Sequence, residues 1–251
     1  MDISMGKWVT DYDGFLLMKF TKSEEYQRDF LDGKLFFNTA DFFAECDDRG
    51  RGDKDEGSTF LVNYSNPGLT SANFEKINGQ YMLVVRDYSN NPDEYKPGTV
   101  WSYSSAENRN RKIISLYTCY VNTESHIVHP FPTNMERDFG EYGILILNRQ
   151  AFFDRVVSAI KKHPEITKAM MGFVEYEDMK PGLNDWHPFR KDRKDFSYQN
   201  EFRITFVSDT NSALKLDLEC TLRDIAVPVF ASEIDEIHFE GENLLYPIYS
   251  I

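Results

Sequence analysis

The sequence predicts an α+β fold: one domain over residues 1–251, built on a mixed or antiparallel split sheet with a few short helices. Three observations predict it. Phenylalanine (20) and tyrosine (14) are abundant, which favours strands over a helical bundle. Short apolar runs recur along the whole chain, whereas RQAFFDRVVSAIKK (149–162) is the best helical stripe, with Phe152, Val156, Val157 and Ile160 on one face. The runs do not alternate regularly with helices, so a parallel βαβ sheet is not expected. No repeat or linker divides the chain, and 41% hydrophobic residues supply a core.

The elements follow in order. GFLLMKF (14–20) reads as a strand. Thr21 or Ser23 then caps a helix, Glu24 and Glu25 suit its first turn, and Gly33 stops it. KLFFN (34–38) is a second strand, and Thr39 caps the turn ADFFAEC, with Phe42 and Phe43 assigned to the core. DDRGRGDKDEG (47–57) is a loop by its glycines and alternating charge. STFLVNYS and QYMLVVRDYS read as strands, with NPGLTSANFEKING between them. VWSYSS and the apolar KIISLYTCYV follow, the latter central. Residues 122–141 read as loop, YGILILN as a buried strand, MMGFVEYED as another, and MKPGLNDWHPFRKDRKD as a polar loop. FSYQNEFRITFVS and ALKLDLEC are strands, TLRDIAVPVFASE holds a short helix, and DEIHFEG and LLYPIYSI close the chain.

Charge bounds function. Lys+Arg 28 against Asp+Glu 41 gives a net charge of -13, so broad DNA binding is not expected. Such a surface either serves solubility or attracts a basic protein partner. Cys46, Cys119 and Cys220 are odd in number and show no paired spacing, which argues against a disulfide framework or zinc knuckle. The opening MDISMGKWVTDYDGF lacks a leader pattern, and no apolar run approaches the ~20 residues of a membrane span. A cytoplasmic location is expected.

Four stretches could carry chemistry. In DFSYQNEFRITF (195–206), strand alternation places Gln199, Glu201 and Arg203 on one face and Tyr198, Phe202 and Ile204 on the other. That polar stripe is either a wet surface ladder or the wall of a site. In RGRGDKDEG, Arg49 and Arg51 could hold a phosphate; Asp53, Asp55 and Glu56 could hold a divalent ion; a solvated turn is the plain alternative. HPFRKDRKDF gathers Arg190, Lys191, Arg193 and Lys194 just before Gln199, with Trp186 and Phe189 available for stacking. His126 and His129 lack a nearby third ligand, so no metal is assigned.

Gln199-Asn200-Glu201 resembles the Q-x-E form of the motif of ADP-ribosyltransferases. The resemblance implies NAD as substrate. Glu201 would be the catalytic carboxylate, binding a ribose hydroxyl and stabilising the oxocarbenium-like transition state, and Gln199 would orient the acceptor. Lys19, Tyr198, Arg203, Arg51 and Arg190 would bind NAD or the acceptor. The chain departs from that family in offering Lys19 on its first strand, where the family has Arg or His. The family's Ser-Thr-Ser strand has candidates in Ser58 and Thr59, or in Ser102 to Ser105.

A broader resemblance covers about Phe15 to Phe206. FLDGKLFFNTADFF, RGDKDEG, FGEYGILILNRQAFFDRV, GFVEYED and FRKDRKDFSYQNEFRI together resemble an uncharacterised phage and bacterial domain family. It implies a toxin, effector or counter-defence role. Two readings of different class result. One is an ADP-ribosyltransferase-like enzyme or effector in phage–bacterial conflict, with a protein or nucleic-acid acceptor. The other is a non-enzymatic acidic phage inhibitor that binds a host defence protein or sequesters a nucleotide signal. A Mg²⁺ nuclease built on Asp53, Glu56 and Glu201 is a third.

Overall fold

The structure is a computed structural model that describes residues 5–9, 14–46, 51–53, 56, 60–62, 70–77, 80–87, 101–103, 106–122, 127–128, 131–178, 182–183, 187–240 and 243–248. The elements that build the site are β1 (Phe15–Thr21), α1 (Glu24–Leu31), β2 (Lys34–Thr39), α2 (Ala40–Glu45) and β3 (Lys112–Asn122). They continue with β4 (Tyr142–Ile146), α3 (Arg149–Lys161), β5 (Thr167–Phe173), β6 (Glu201–Val207), β7 (Leu214–Asp217) and β8 (Ala226–Phe230).

These strands form an antiparallel sheet in the order β5-β6-β3-β1-β4-β8. Strand β2 joins from the side, pairing with β3 and with β7. The α+β class with an antiparallel sheet and short helices is as the sequence predicts. Alternation along the strands gives two apolar layers. Leu17, Ile114, Ile144, Phe202 and Ile204 point to one face, which α1 and α3 cover with Phe30, Leu31, Phe152 and Val156. Met18, Tyr117, Cys119 and Leu145 point to the other, packed with Met135, Ile234 and Leu244. Each fully buried Leu, Ile or Phe contributes roughly 1.5–3 kcal/mol relative to exposure.

The turn from α1 into β2 needs glycine. Gly33 has φ +84, and a Cβ there would lie 2.0 Å from the Cys220 carbonyl oxygen. Thr39 caps α2 by accepting from Phe42 N at 3.0 Å.

The sheet divides at β3. Its residues 117–120 pair with β1, and residues 112–113 pair with β2. Between these contacts, residues 114–116 keep only β6 as a strand partner, on the opposite edge. The freed Ser115 carbonyl accepts instead from Lys19 Nζ at 2.8 Å.

Several expectations are corrected. Thr70–Ile77, to which the sequence reading assigns no element, is a strand paired with Gln80–Asp87 in a hairpin. The stretch read as loop over 122–141 holds a helix, Thr133–Phe139, and a short strand, Ile127–Val128. The basic loop holds a strand, Arg190–Asp192, which runs parallel to Glu175–Glu177, and a helical turn, Arg193–Phe196. TLRDIAVPVFASE forms strand β8 and then a 3-10 turn, Ala231–Glu236. Among the described residues, no helix is long and apolar enough to cross a membrane.

Candidate functional site

The polar stripe proposed at 199–203 is neither continuous strand nor wet. The strand starts only at Glu201, and Ser197–Gln199 is a 3-10 turn. Asn200 joins them in the left-handed region, at φ 40 and ψ 53, a conformation asparagine tolerates better than most residues. Tyr198 therefore leaves the face of Phe202 and Ile204 and packs against the opposite apolar layer. Gln199, Glu201 and Arg203 are all buried, at 0%, 4% and 2% exposure.

One ion network explains that burial. Glu201 accepts from Lys191 Nζ at 2.6 Å, from Arg203 Nε at 2.8 Å and from Ser115 Oγ at 2.7 Å. Arg203 spans to Glu56 with two parallel bonds, 3.0 and 2.8 Å, and donates to the Pro188 carbonyl at 2.7 Å. Lys191 also donates to Gln199 Oε1 at 2.8 Å and lies 4.5 Å from the centre of the Phe196 ring. The parallel pairing of Lys191 with Tyr176 sets both beside Glu201, whose backbone N–H donates to the Tyr176 hydroxyl at 2.9 Å. Two cations and two carboxylates thus neutralise one another inside the protein.

The network fixes protonation. Burial opposes ionisation of Glu201, but the adjacent Arg203 and Lys191 outweigh it and hold its carboxyl well below the usual carboxylate range. Glu201 is therefore a permanent acceptor and not a proton shuttle at neutral pH. Burial likewise opposes charge on Arg203, and Glu201 and Glu56 overcome it. Tyr198 donates to Asp138 at 2.6 Å and accepts from Gln199 Nε2 at 3.4 Å. Burial, then the bond to Asp138, pushes this phenol up to about 12, so it keeps its proton.

The network forms one wall of a cavity of about 660 Å³ at the division of the sheet. Lys19, Ser115 and Tyr117 of the sheet line it, together with residues of α1, β2 and α2. Among the described residues, seven cationic and four carboxylate side chains line it, an excess of three positive charges in a chain of net charge -13. Burial drives the half-buried Lys19 down to about 8; Glu201 opposes the shift and Arg51 adds to it.

That shift has a stability consequence. Between pH 8 and the ordinary lysine range, the unfolded chain binds the Lys19 proton and the folded chain has released it. Stability from this group therefore rises with pH across the window. Wild type is expected to gain stability relative to Lys19→Met between pH 8 and 10, as read by urea denaturation. A flat difference would contradict a depressed Lys19.

Of the sequence-predicted residues, Gln199, Glu201, Arg203, Lys19 and Arg51 line the cavity together. Tyr198 and Arg190 do not. Tyr198 acts one bond away, through Gln199, and Arg190 turns outward to Glu177 at 3.3 Å. Sequence reasoning passed over Ser115, a lone polar side chain in an apolar central strand, and left Lys191 undistinguished within its basic run. Asp53 and Glu56, read as a solvated turn, are buried. Arg203 sits between Glu56 and Glu201, where the nuclease reading would place a metal. No group of three metal-ligating side chains exists among the described residues. Phe42 and Phe43 line the cavity instead of joining the core. Arg49, Asp55, Ser58, Thr59, Ser104, Ser105, His126, His129 and Trp186 lie outside the described residues.

No protein-family model matches the chain, and neither a curated protein nor a solved structure matches it.

Proposed function

We propose that the cavity binds an anionic nucleotide, with NAD as the ligand and ADP-ribosyl transfer as its chemistry. The observation that supports this reading is the reversal of charge: in an acidic chain, the described residues that line the cavity carry a cationic excess. The volume lies in the range of small-molecule and cofactor sites. Lys19 uses one of its three donors on Ser115, which leaves two for an anion.

In the transfer, the bond between ribose C1′ and nicotinamide breaks and its electron pair leaves with nicotinamide. A bond from C1′ to an acceptor nucleophile or water forms, and the nucleophile's proton passes to solvent. Glu201 would serve as the fixed acceptor for a ribose hydroxyl and as negative charge near the developing cation. Its carboxylate has about four lone-pair sites, three of which the network occupies. Gln199 would act through Lys191, whose position it fixes, rather than by meeting an acceptor freely, because both ends of its amide are engaged.

One observation favours a second reading on the same cavity. Two cations already neutralise Glu201, which weakens its pull on an oxocarbenium and suits a protein that retains a nucleotide signal without turnover. Calorimetric titration with NAD, with nicotinamide release followed in parallel, separates the cases. Binding with release supports transfer; binding without release supports sequestration; no binding at millimolar NAD removes both.

A further inference from the structure

Aromatic side chains are unusually exposed around the cavity. Tyr26, Phe36 and Phe42 are 60%, 49% and 40% exposed, and all three line it. They come from three separate elements. On α1, Glu25, Tyr26 and Asp29 share one helical face, directed at the cavity, and Lys22 lines it from just before the helix. On β2, alternation sends Leu35 and Phe37 into the core and turns Lys34, Phe36 and Asn38 to the cavity. On α2, Phe42 stands against Phe43 edge to face, with centroids 5.4 Å apart. Asp29 takes both Lys34, at 3.2 Å, and Lys215, at 2.7 Å, so the charges beside Phe36 are already partnered. The cavity thus joins two kinds of surface: exposed aromatic rings, and the less exposed Lys19, held to the Ser115 carbonyl, with Arg51 near enough to act on its charge.

We infer that the aromatic surface is a ring-binding subsite, and that the ligand lies with a planar base against Tyr26, Phe36 and Phe42 and its phosphates toward Lys19 and Arg51. The inference rests on the anionic-nucleotide reading and adds the ligand's orientation to it. Stacking surfaces of this kind accept any flat ring, so the aromatic surface sets affinity for nucleotides over bare phosphates without choosing among bases. A ring is also what these positions suit physically. Exposed aromatics gain from covering a π-face, and the partnered ions around them compete little for a neutral base.

The test uses the whole chain, two probes and one variant. ADP and inorganic pyrophosphate are titrated calorimetrically into wild type and into Tyr26→Ser/Phe36→Ser/Phe42→Ser. The three side chains are exposed, and equal melting temperatures confirm the fold. Wild type is expected to bind ADP at least about tenfold more tightly than pyrophosphate. The variant should lose that margin and keep its pyrophosphate affinity within about twofold. Equal binding of ADP and pyrophosphate by wild type, or an unchanged ADP affinity in the variant, overturns the ring subsite and leaves the anionic site standing. Failure of wild type to bind either probe overturns both. A short single-stranded oligonucleotide that binds more tightly than ADP, through the same three residues, would assign the aromatic surface to nucleic acid and overturn the small-ligand inference.

Discussion

Arg203→Met is expected to destabilise the fold by about 3–5 kcal/mol, the cost of leaving a buried ion network without one partner. Arg203 is 2% exposed and neutralises two carboxylates at once, Glu56 and Glu201. Methionine keeps most of the side-chain volume, so the loss reports charge and not a cavity. Urea denaturation at neutral pH measures it. Adding Glu56→Gln to the same chain should return much of the stability, because Lys191 still neutralises Glu201 and no buried charge then stays stranded. The pH dependence has a definite sign. Glu201 is held below its ordinary value, so its contribution is complete above the usual carboxylate range and is lost as pH falls beneath it. A loss under about 1 kcal/mol in the single variant would mean that water reaches the network freely.

Glu201→Gln separates binding from chemistry. If the protein transfers ADP-ribose, this change should lower nicotinamide release by about 10²–10³-fold, the range for removing one oriented group that stabilises developing charge. The same change removes a carboxylate that lines the cavity, so NAD affinity should hold or rise several-fold. The two effects point in opposite directions, which a merely unfolded variant could not produce. Lys191 and Arg203 lose their shared carboxylate in this variant, so its melting temperature is measured alongside, and Glu201→Asp gives a charge-preserving control. Retained turnover in Glu201→Gln would remove Glu201 from the chemistry.

Much of the frame was legible in local pattern. Strands β1, β2 and β4 are short apolar runs, and α3 has a helical stripe with Asn148 accepting from Ala151 N at 3.0 Å as its cap. The hairpin strand Thr70–Ile77 was not legible, because its polar residues between NPG and ING carry turn chemistry and no apolar alternation. At the site, the residues of the Gln-x-Glu-x-Arg run do line one cavity, but strand alternation is only part of the reason. Alternation predicts one shared face. In the fold, the left-handed Asn200 ends the alternation, and Lys191 draws Gln199 and Glu201 together instead.

Burial at this site was beyond local reading altogether. The partner that lets Arg203 be buried, Glu56, lies 147 residues away in sequence, in a stretch whose glycines and charges read as solvent-facing. Arg51 reaches the same cavity from that stretch. Arg190, by contrast, shared its basic run with Lys191 and differs from it only in which side of a three-residue strand it occupies. One position of parity separates a buried network lysine from an arginine that pairs with Glu177.

The cationic cavity is the centre of this account, and the most direct measurement is a crystal structure of the protein with NAD. Ligand density is expected in the division between β1 and β2, with phosphate oxygens within hydrogen-bond distance of Lys19 and Arg51. NAD bound at another surface, or a cavity that stays empty at a saturating concentration, would contradict it.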